Sequence, residues 1–134
     1  MFAPVVRFRV DFAKGAYVGP GKIDLLEAIR DSGSLSQAAR DLGMSYRRAW
    51  LLVDSLKQSF REPVTVATTG GKRGGGVRLT EFGRTLIDSY RDLERDIAKL
   101  AARRLHAIIP AVIRRATTDA KSARRPIVHK RDEA

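Results

Sequence analysis

Three observations predict a mainly α-helical fold with a small β component. Two short helical patterns meet at a glycine between Ser34 and Phe60, in SLSQAARDLGMSYRRAWLLVDSLKQSF. Two short alternating runs, around Val64–Thr68 and Val77–Leu79, bracket the glycine-rich TGGKRGGG. A long apolar stripe then runs from Phe82 to Leu100. Two helices with a tight turn, followed by a loose-tipped hairpin, read as a winged helix-turn-helix. The stripe adds a long helix that dimerises. The expected organisation is residues 1–80 as the winged domain with an N-terminal strand, 81–110 as the dimerisation helix, and 111–134 as a basic, mobile tail.

In chain order, Val6, Phe8, Val10 and Phe12 alternate with Arg7, Arg9 and Asp11. Period two predicts a strand with one apolar face. A lone strand must pair with the wing, with its twin in a second subunit, or both. Gly15–Gly21 reads as a loop, because Pro20 and Gly21 resist continuation of a strand. Ile23 to Asp31 reads as the first helix, with Ile23, Leu26 and Ile29 on its buried face and Leu25 beside them. Ser32 and Gly33 end it.

Ser34 has the chemistry of an N-cap, and Gln37 follows three residues later, which is the spacing of a capping box. Ala38, Ala39 and Leu42 give this helix a short apolar face. Gly43 supplies the turn, where the absence of a Cβ allows a left-handed backbone. Met44 tucks inward and Ser45 caps the next helix. Ala49, Val53, Leu56 and Phe60 are expected to be buried on one face. Arg47, Leu51, Asp54 and Gln58 fall opposite, and Tyr46, Arg48 and Trp50 flank the buried stripe. A first turn of Ser-Tyr-Arg-Arg can hydrogen-bond phosphates and base edges. An ordinary helical hairpin with a solvated basic end fits the same spacing.

Glu62 and Pro63 stop that helix. In the hairpin that follows, five glycines around Lys72 and Arg73 let the backbone approach phosphates, and the two cations reach phosphate oxygens or the minor groove. The alternative is a surface loop with two solvated charges. A Walker loop is excluded: Val77 follows the last glycine, and Lys72 precedes the final three glycines instead of following them. Thr80 caps the last helix. Phe82, Leu86, Tyr90, Leu93, Ile97 and Leu100 are spaced 4, 4, 3, 4 and 3. A stripe longer than one core needs predicts burial against a second copy, the other course being to pack back on its own domain. Pro110 ends it.

The net charge of +11 and the pI near 10.8 favour a polyanionic partner. The excess is +3, +4 and +4 over residues 1–69, 70–109 and 110–134, so there is no basic half and specific patches must bind. The chain has no cysteine, which excludes disulfides, thiolate zinc ribbons and thiol catalysis. MFAPVVRFRVDF lacks the pattern of a secretory signal. No run approaches the roughly 20 apolar residues of a membrane span. Neither His106 nor His129 has a neighbouring carboxylate cluster with ligand-like spacing, and no nucleophile motif is present, so neither an enzyme nor a metal or cofactor site is expected.

DLLEAIRDSGSLSQAARDLGMSYRRAW, with TGGKRGGGVRLTEFGRTLIDSYRDLE after it, resembles the DNA-binding domain of the ModE family of molybdate-responsive transcription regulators. The resemblance spans about residues 5 to 105. LysR-type regulators share a similar winged domain but normally lack this glycine-rich wing. The resemblance implies a homodimer acting on a palindromic operator, with molybdenum-related genes among its targets. It implies DNA contacts by Ser34, Ser36, Gln37, Ser45, Tyr46, Arg47, Arg48, Trp50, Lys72 and Arg73. Trp50 is expected to shape the recognition helix more than to read bases, because an indole offers one donor and no acceptor. Phe8, Leu86, Tyr90, Leu93, Ile97 and Leu100 are the expected dimer contacts. Only about 25 residues follow Pro110, too few for the family's molybdate-binding barrels. A stand-alone domain is therefore expected, acting constitutively or with a separate effector-sensing subunit. The expected setting is cytoplasmic and nucleoid-associated. The competing function is a weakly specific architectural DNA-binding protein, which the basic tail favours.

Overall fold

The computed structural model describes residues 4–69 and 76–113. Their order is β1 (Val10–Ala13), β2 (Ala16–Val18), α1 (Pro20–Ser32), α2 (Leu35–Asp41), α3 (Tyr46–Ser59), β3 (Thr65–Thr68), β4 (Gly76–Leu79), α4 (Glu81–Arg104) and a 3-10 turn (Ile109–Ala111). Lys72, Arg73 and the expected tail from residue 114 onward lie outside the described residues.

The N-terminal segment departs from expectation. Pairing begins only at Val10, and the partner is β2, inside the stretch read as a loop. The antiparallel register pairs Val10 with Val18 and Asp11 with Tyr17, then slips so that Phe12 is bulged out. Gly15, at φ +80°, makes the turn. Pro20 does stop the strand, but by opening α1 at a position where its missing N–H costs nothing.

The three-helix core follows the caps. Gly33 ends α1 with φ +70°, and its N–H donates to Ile29 O at 2.8 Å. Ser34 Oγ accepts from Gln37 N at 3.1 Å. The reciprocal half of the capping box is absent: Gln37 Nε2 instead donates to Asp41 Oδ1, and Ser32 Oγ accepts from Ser34 N. Gly43, at φ +68°, makes the turn, and Met44 N closes it onto Ala39 O at 2.9 Å. Ile23, Leu25, Leu26 and Ile29 of α1, Ala38 and Ala39 of α2, and Ala49, Leu52 and Leu56 of α3 form one buried cluster with Val18, Val64, Leu79, Leu86, Ile87 and Tyr90. Leu52, not Val53, is the buried residue in the middle of α3; Val53 and Phe60 pack at the edge of the cluster.

The β3–β4 hairpin pairs Thr65 with Leu79 through Thr68 with Gly76. It is fastened at both ends. Val77 N donates to Gly33 O at 3.0 Å, and Thr80 N to Val64 O at 3.0 Å. Thr80 Oγ1 accepts from Gly83 N and donates to Pro63 O, so one hydroxyl caps α4 and holds the hairpin's entry.

The α4 stripe divides. Leu86 and Tyr90 are buried in the chain's own core. Phe8 stacks on Tyr90 with centroids 4.7 Å apart, and Tyr90 Oη donates to Phe8 O at 2.7 Å. Leu93 and Leu100 are each 41% exposed, with Ile97 between them half-buried. Of the expected dimer contacts, Phe8, Leu86 and Tyr90 thus join α4 to their own domain. The exposed part of the stripe begins at Leu93. Among the described residues no helix is long and apolar enough to cross a membrane.

Candidate nucleic-acid interface

The candidate interface is built on α3. Its N-cap, Ser45, is exposed, and its Oγ accepts from Arg48 N at 3.1 Å. That hydroxyl keeps a proton to donate. Because Ala49, Leu52 and Leu56 bury one side of the helix, Arg47, Leu51, Asp54 and Gln58 run along the other. Tyr46 is 56%, Trp50 49% and Leu51 47% exposed, a concentration of large apolar surface on one element of a basic protein. Arg47 is exposed and Arg48 half-buried at the edge of the core.

The two elements beside α3 are set by the same core. Ser34, half-buried, and Ser36, exposed, lie at the start of α2. Gln37 there is engaged with Asp41, and Arg40 Nη2 donates to its Oε1 at 2.8 Å. On the other side, Trp50, Val53, Asp54 and Lys57 face Val64, Thr65, Ala67 and Val77 across a cleft of about 370 Å³. Trp50 therefore stands at the lip between α3 and the hairpin. That position suits a wedge that spaces the two as well as a group that contacts a ligand. Of the expected contact residues, Ser45, Tyr46, Arg47 and Trp50 cluster on α3 and Ser34 and Ser36 on α2. Lys72 and Arg73 lie between β3 and β4 in sequence, outside the described residues. Arg78, exposed on β4, is a wing cation that sequence reasoning missed. Its place between the inward Val77 and Leu79 was the available signal.

Two other cations are withdrawn from the surface. Lys22 of α1 is buried, with Nζ donating to Tyr17 O at 3.0 Å and Ser55 Oγ at 2.8 Å and lying 3.4 Å from the Tyr17 ring centroid. Arg9 covers the same ring at 3.7 Å. Burial, and then the charge of Arg9, bring the Lys22 ammonium down to about 8. Arg91 of α4 binds Glu27 at 2.7 Å, Asp24 at 2.8 Å and Glu94 at 2.9 Å. The Glu27 hydrogen bond is the largest cause of its raised pKa. Burial also pushes the Tyr90 phenol up to about 12. Among the described residues no group of three or more His, Cys, Asp or Glu is placed to hold a metal ion.

This geometry agrees with the comparisons to known proteins. Residues 21–84 match the bacterial regulatory helix-turn-helix protein family of the LysR type. The chain is 38% identical over 90 residues to the molybdenum transport protein ModE of Azotobacter vinelandii. It is 44% identical over 86 residues to the molybdenum-pterin-binding protein MopB of Rhodobacter capsulatus. It is also 42% identical over 74 residues to the DNA-binding transcriptional dual regulator ModE of Escherichia coli. These matches cover 67%, 64% and 55% of this chain but only 33%, 32% and 28% of the relatives, so the chain spans about a third of their length. Residues 21–84 of the chain thus carry a regulatory helix-turn-helix domain of the LysR type, and its homologues include ModE and Mop proteins.

Proposed function

We propose that the protein is a sequence-specific transcription regulator that binds duplex DNA as a homodimer on a palindromic operator. The observation that carries this reading is the outward face of α3, where a capped first turn holds Ser45, Tyr46 and Arg47 clear of the core. Arg47 is a bidentate partner for a guanine edge. Ser45, Ser34 and Ser36 serve as phosphate donors beside it, and Lys72 and Arg73 of the wing contribute charge that is indifferent to sequence. The exposed Leu93 and Leu100 support a dimer along the distal half of α4. A two-fold pair would set its recognition helices about 34 Å apart, one turn of DNA. The names of the relatives make genes of molybdenum handling the first targets to examine. Such a protein works in the cytoplasm at the nucleoid.

The net charge of +11 also fits a weakly specific architectural binder. Selection from a random duplex pool separates the two, since only a regulator enriches a common palindrome. On that duplex Arg47→Ala should weaken binding about 5- to 150-fold and relax preference at one position. Lys72→Ala should weaken binding to operator and scrambled duplex alike and reduce the salt slope by about one. Equal loss on both duplexes for Arg47→Ala would remove its reading role.

A further inference from the structure

Leu51 is the residue of α3 whose exposure the fold does not explain. It is 47% exposed, on the side opposite Ala49, Leu52 and Leu56, and one turn after Arg47. A leucine has no group for a phosphate, and here the core takes little of it. Its neighbours differ: Tyr46 ends in a hydroxyl, and Trp50 leans over the cleft toward the wing. In a major groove the apolar feature presented by the base edges is the thymine C5-methyl. Leu51 stands about 6 Å further along the helix axis than Arg47, the rise of four helical residues. That distance spans about two base pairs at 3.4 Å each.

We propose that Leu51 is a specificity-determining residue, reading the methyl group of a thymine within about two base pairs of the guanine taken by Arg47. The inference rests on the DNA-binding reading above and adds to it a residue and a base. Together, Arg47 and Leu51 make a polar and an apolar contact on one helical row, so the half-site is fixed in register by two different chemistries.

The test is a uracil scan of the duplex selected from the random pool. Replacing thymine by uracil removes one methyl and leaves the hydrogen-bonding pattern of the pair unchanged. At one thymine per half-site the wild-type protein should lose about fourfold in affinity, the worth of one buried methyl. Leu51→Ala should bind the thymine duplex more weakly by at least that factor and be indifferent to uracil at that position. Leu51→Met, which keeps an apolar side chain, should retain the uracil effect. Leu51 is exposed, so the variants should melt with the wild type, and circular dichroism checks this. The proposal is overturned by tolerance of uracil at every thymine. It is also overturned by a uracil effect that persists in Leu51→Ala, or by a half-site with no thymine near the Arg47 guanine. Tight, selective binding in any of these cases leaves the regulator reading standing. Failure to enrich any duplex would sink both.

Discussion

Gly83→Ala should destabilise the domain, although it puts a better helix former into α4. A Cβ built on Gly83 would lie under 3.0 Å from the carbonyl oxygen of Val64 and 3.2 Å from its carbonyl carbon. The obstacle is backbone, so no side chain can swing away. Either α4 or the start of the wing must move, and overpacking of that kind costs about 1–3 kcal/mol. The same oxygen accepts from Thr80 N at 3.0 Å, so displacing it weakens a hydrogen bond worth about 1 kcal/mol. Against this, alanine gains at most about 1 kcal/mol over glycine in a helix. The net loss is about 2 kcal/mol, or about 8–16 °C in Tm for a domain near 100 residues. Gly21→Ala is the matched control. It also lies in the first turn of a helix, with nothing within 4 Å of its would-be Cβ. It should gain about 0.5 kcal/mol. Urea unfolding followed by far-UV circular dichroism and Trp50 fluorescence reads both. A Gly83→Ala midpoint at or above the wild type's would refute the close-approach argument.

Lys22 gives a pH dependence with a definite sign. Its folded pKa, about 8, lies below the ordinary lysine value, so the folded state sheds its proton before the unfolded state does. Stability is therefore lowest below pH 8 and rises between pH 8 and 10, by about 2 kcal/mol. Above pH 10 the Tyr90 phenol opposes it, since its folded pKa of about 12 keeps the proton that the unfolded chain loses. Urea midpoints across pH 7 to 10 should show the rise, and Lys22→Met should flatten it; a flat wild-type profile would contradict the assignment. Arg91→Met leaves Asp24, Glu27 and Glu94 facing one another without their cation. It should cost about 1–3 kcal/mol at low salt, the cluster being partly open to solvent. In 1 M NaCl the loss should shrink through screening. A loss that does not change with salt would mean that packing, not charge, holds α1 to α4.

Local chemistry was readable from the sequence and long-range pairing was not. Ser34, Ser45 and Thr80 announce three helix starts because a cap acts within three residues, and each hydroxyl accepts where expected. Gly43 announces its turn for the same reason. Ala16–Val18 gives no such signal. It is a strand because β1 lies beside it, and three residues carry too little pattern to show that. Gln37 had the right spacing to close the capping box, but Asp41 one turn away offers it an equally short, charged partner. The Arg91 cluster joins residues 64 and 67 positions apart, and nothing in the spacing of Asp24 and Glu27 on α1 points to α4. Lys22 looks like any surface lysine until Tyr17 and Ser55 close over it. The apolar stripe of α4 was legible, but its division at Leu93 was not, since both halves have the same spacing and only the folded core shows where it stops.

The positions of Lys22 and Arg91 bear on how such a small domain holds α3 and the hairpin still. Lys22 ties β2 to α3 through Tyr17 O and Ser55 Oγ, and Ala49, Leu52 and Leu56 seat α3 on α1 and α2. The wing is fixed to the turn before α2 by Val77 N and Gly33 O, where a Cβ on Gly76 would fall 2.7 Å from that oxygen. Helix and hairpin stem are thus located by one core. A surface fixed before binding loses less freedom on association, so more of each contact's energy appears as affinity. The charges left outward do not need to be numerous for this to work. Among the described residues, the buried Lys22 holds α3 and the half-buried Arg91 joins α1 to α4, while helix geometry alone keeps Arg47 and Leu51 at a constant spacing along α3. Under the proposed function, specificity would reside in the row that Arg47 and Leu51 share, and the net charge of +11 would raise the rate and strength of encounter with any duplex.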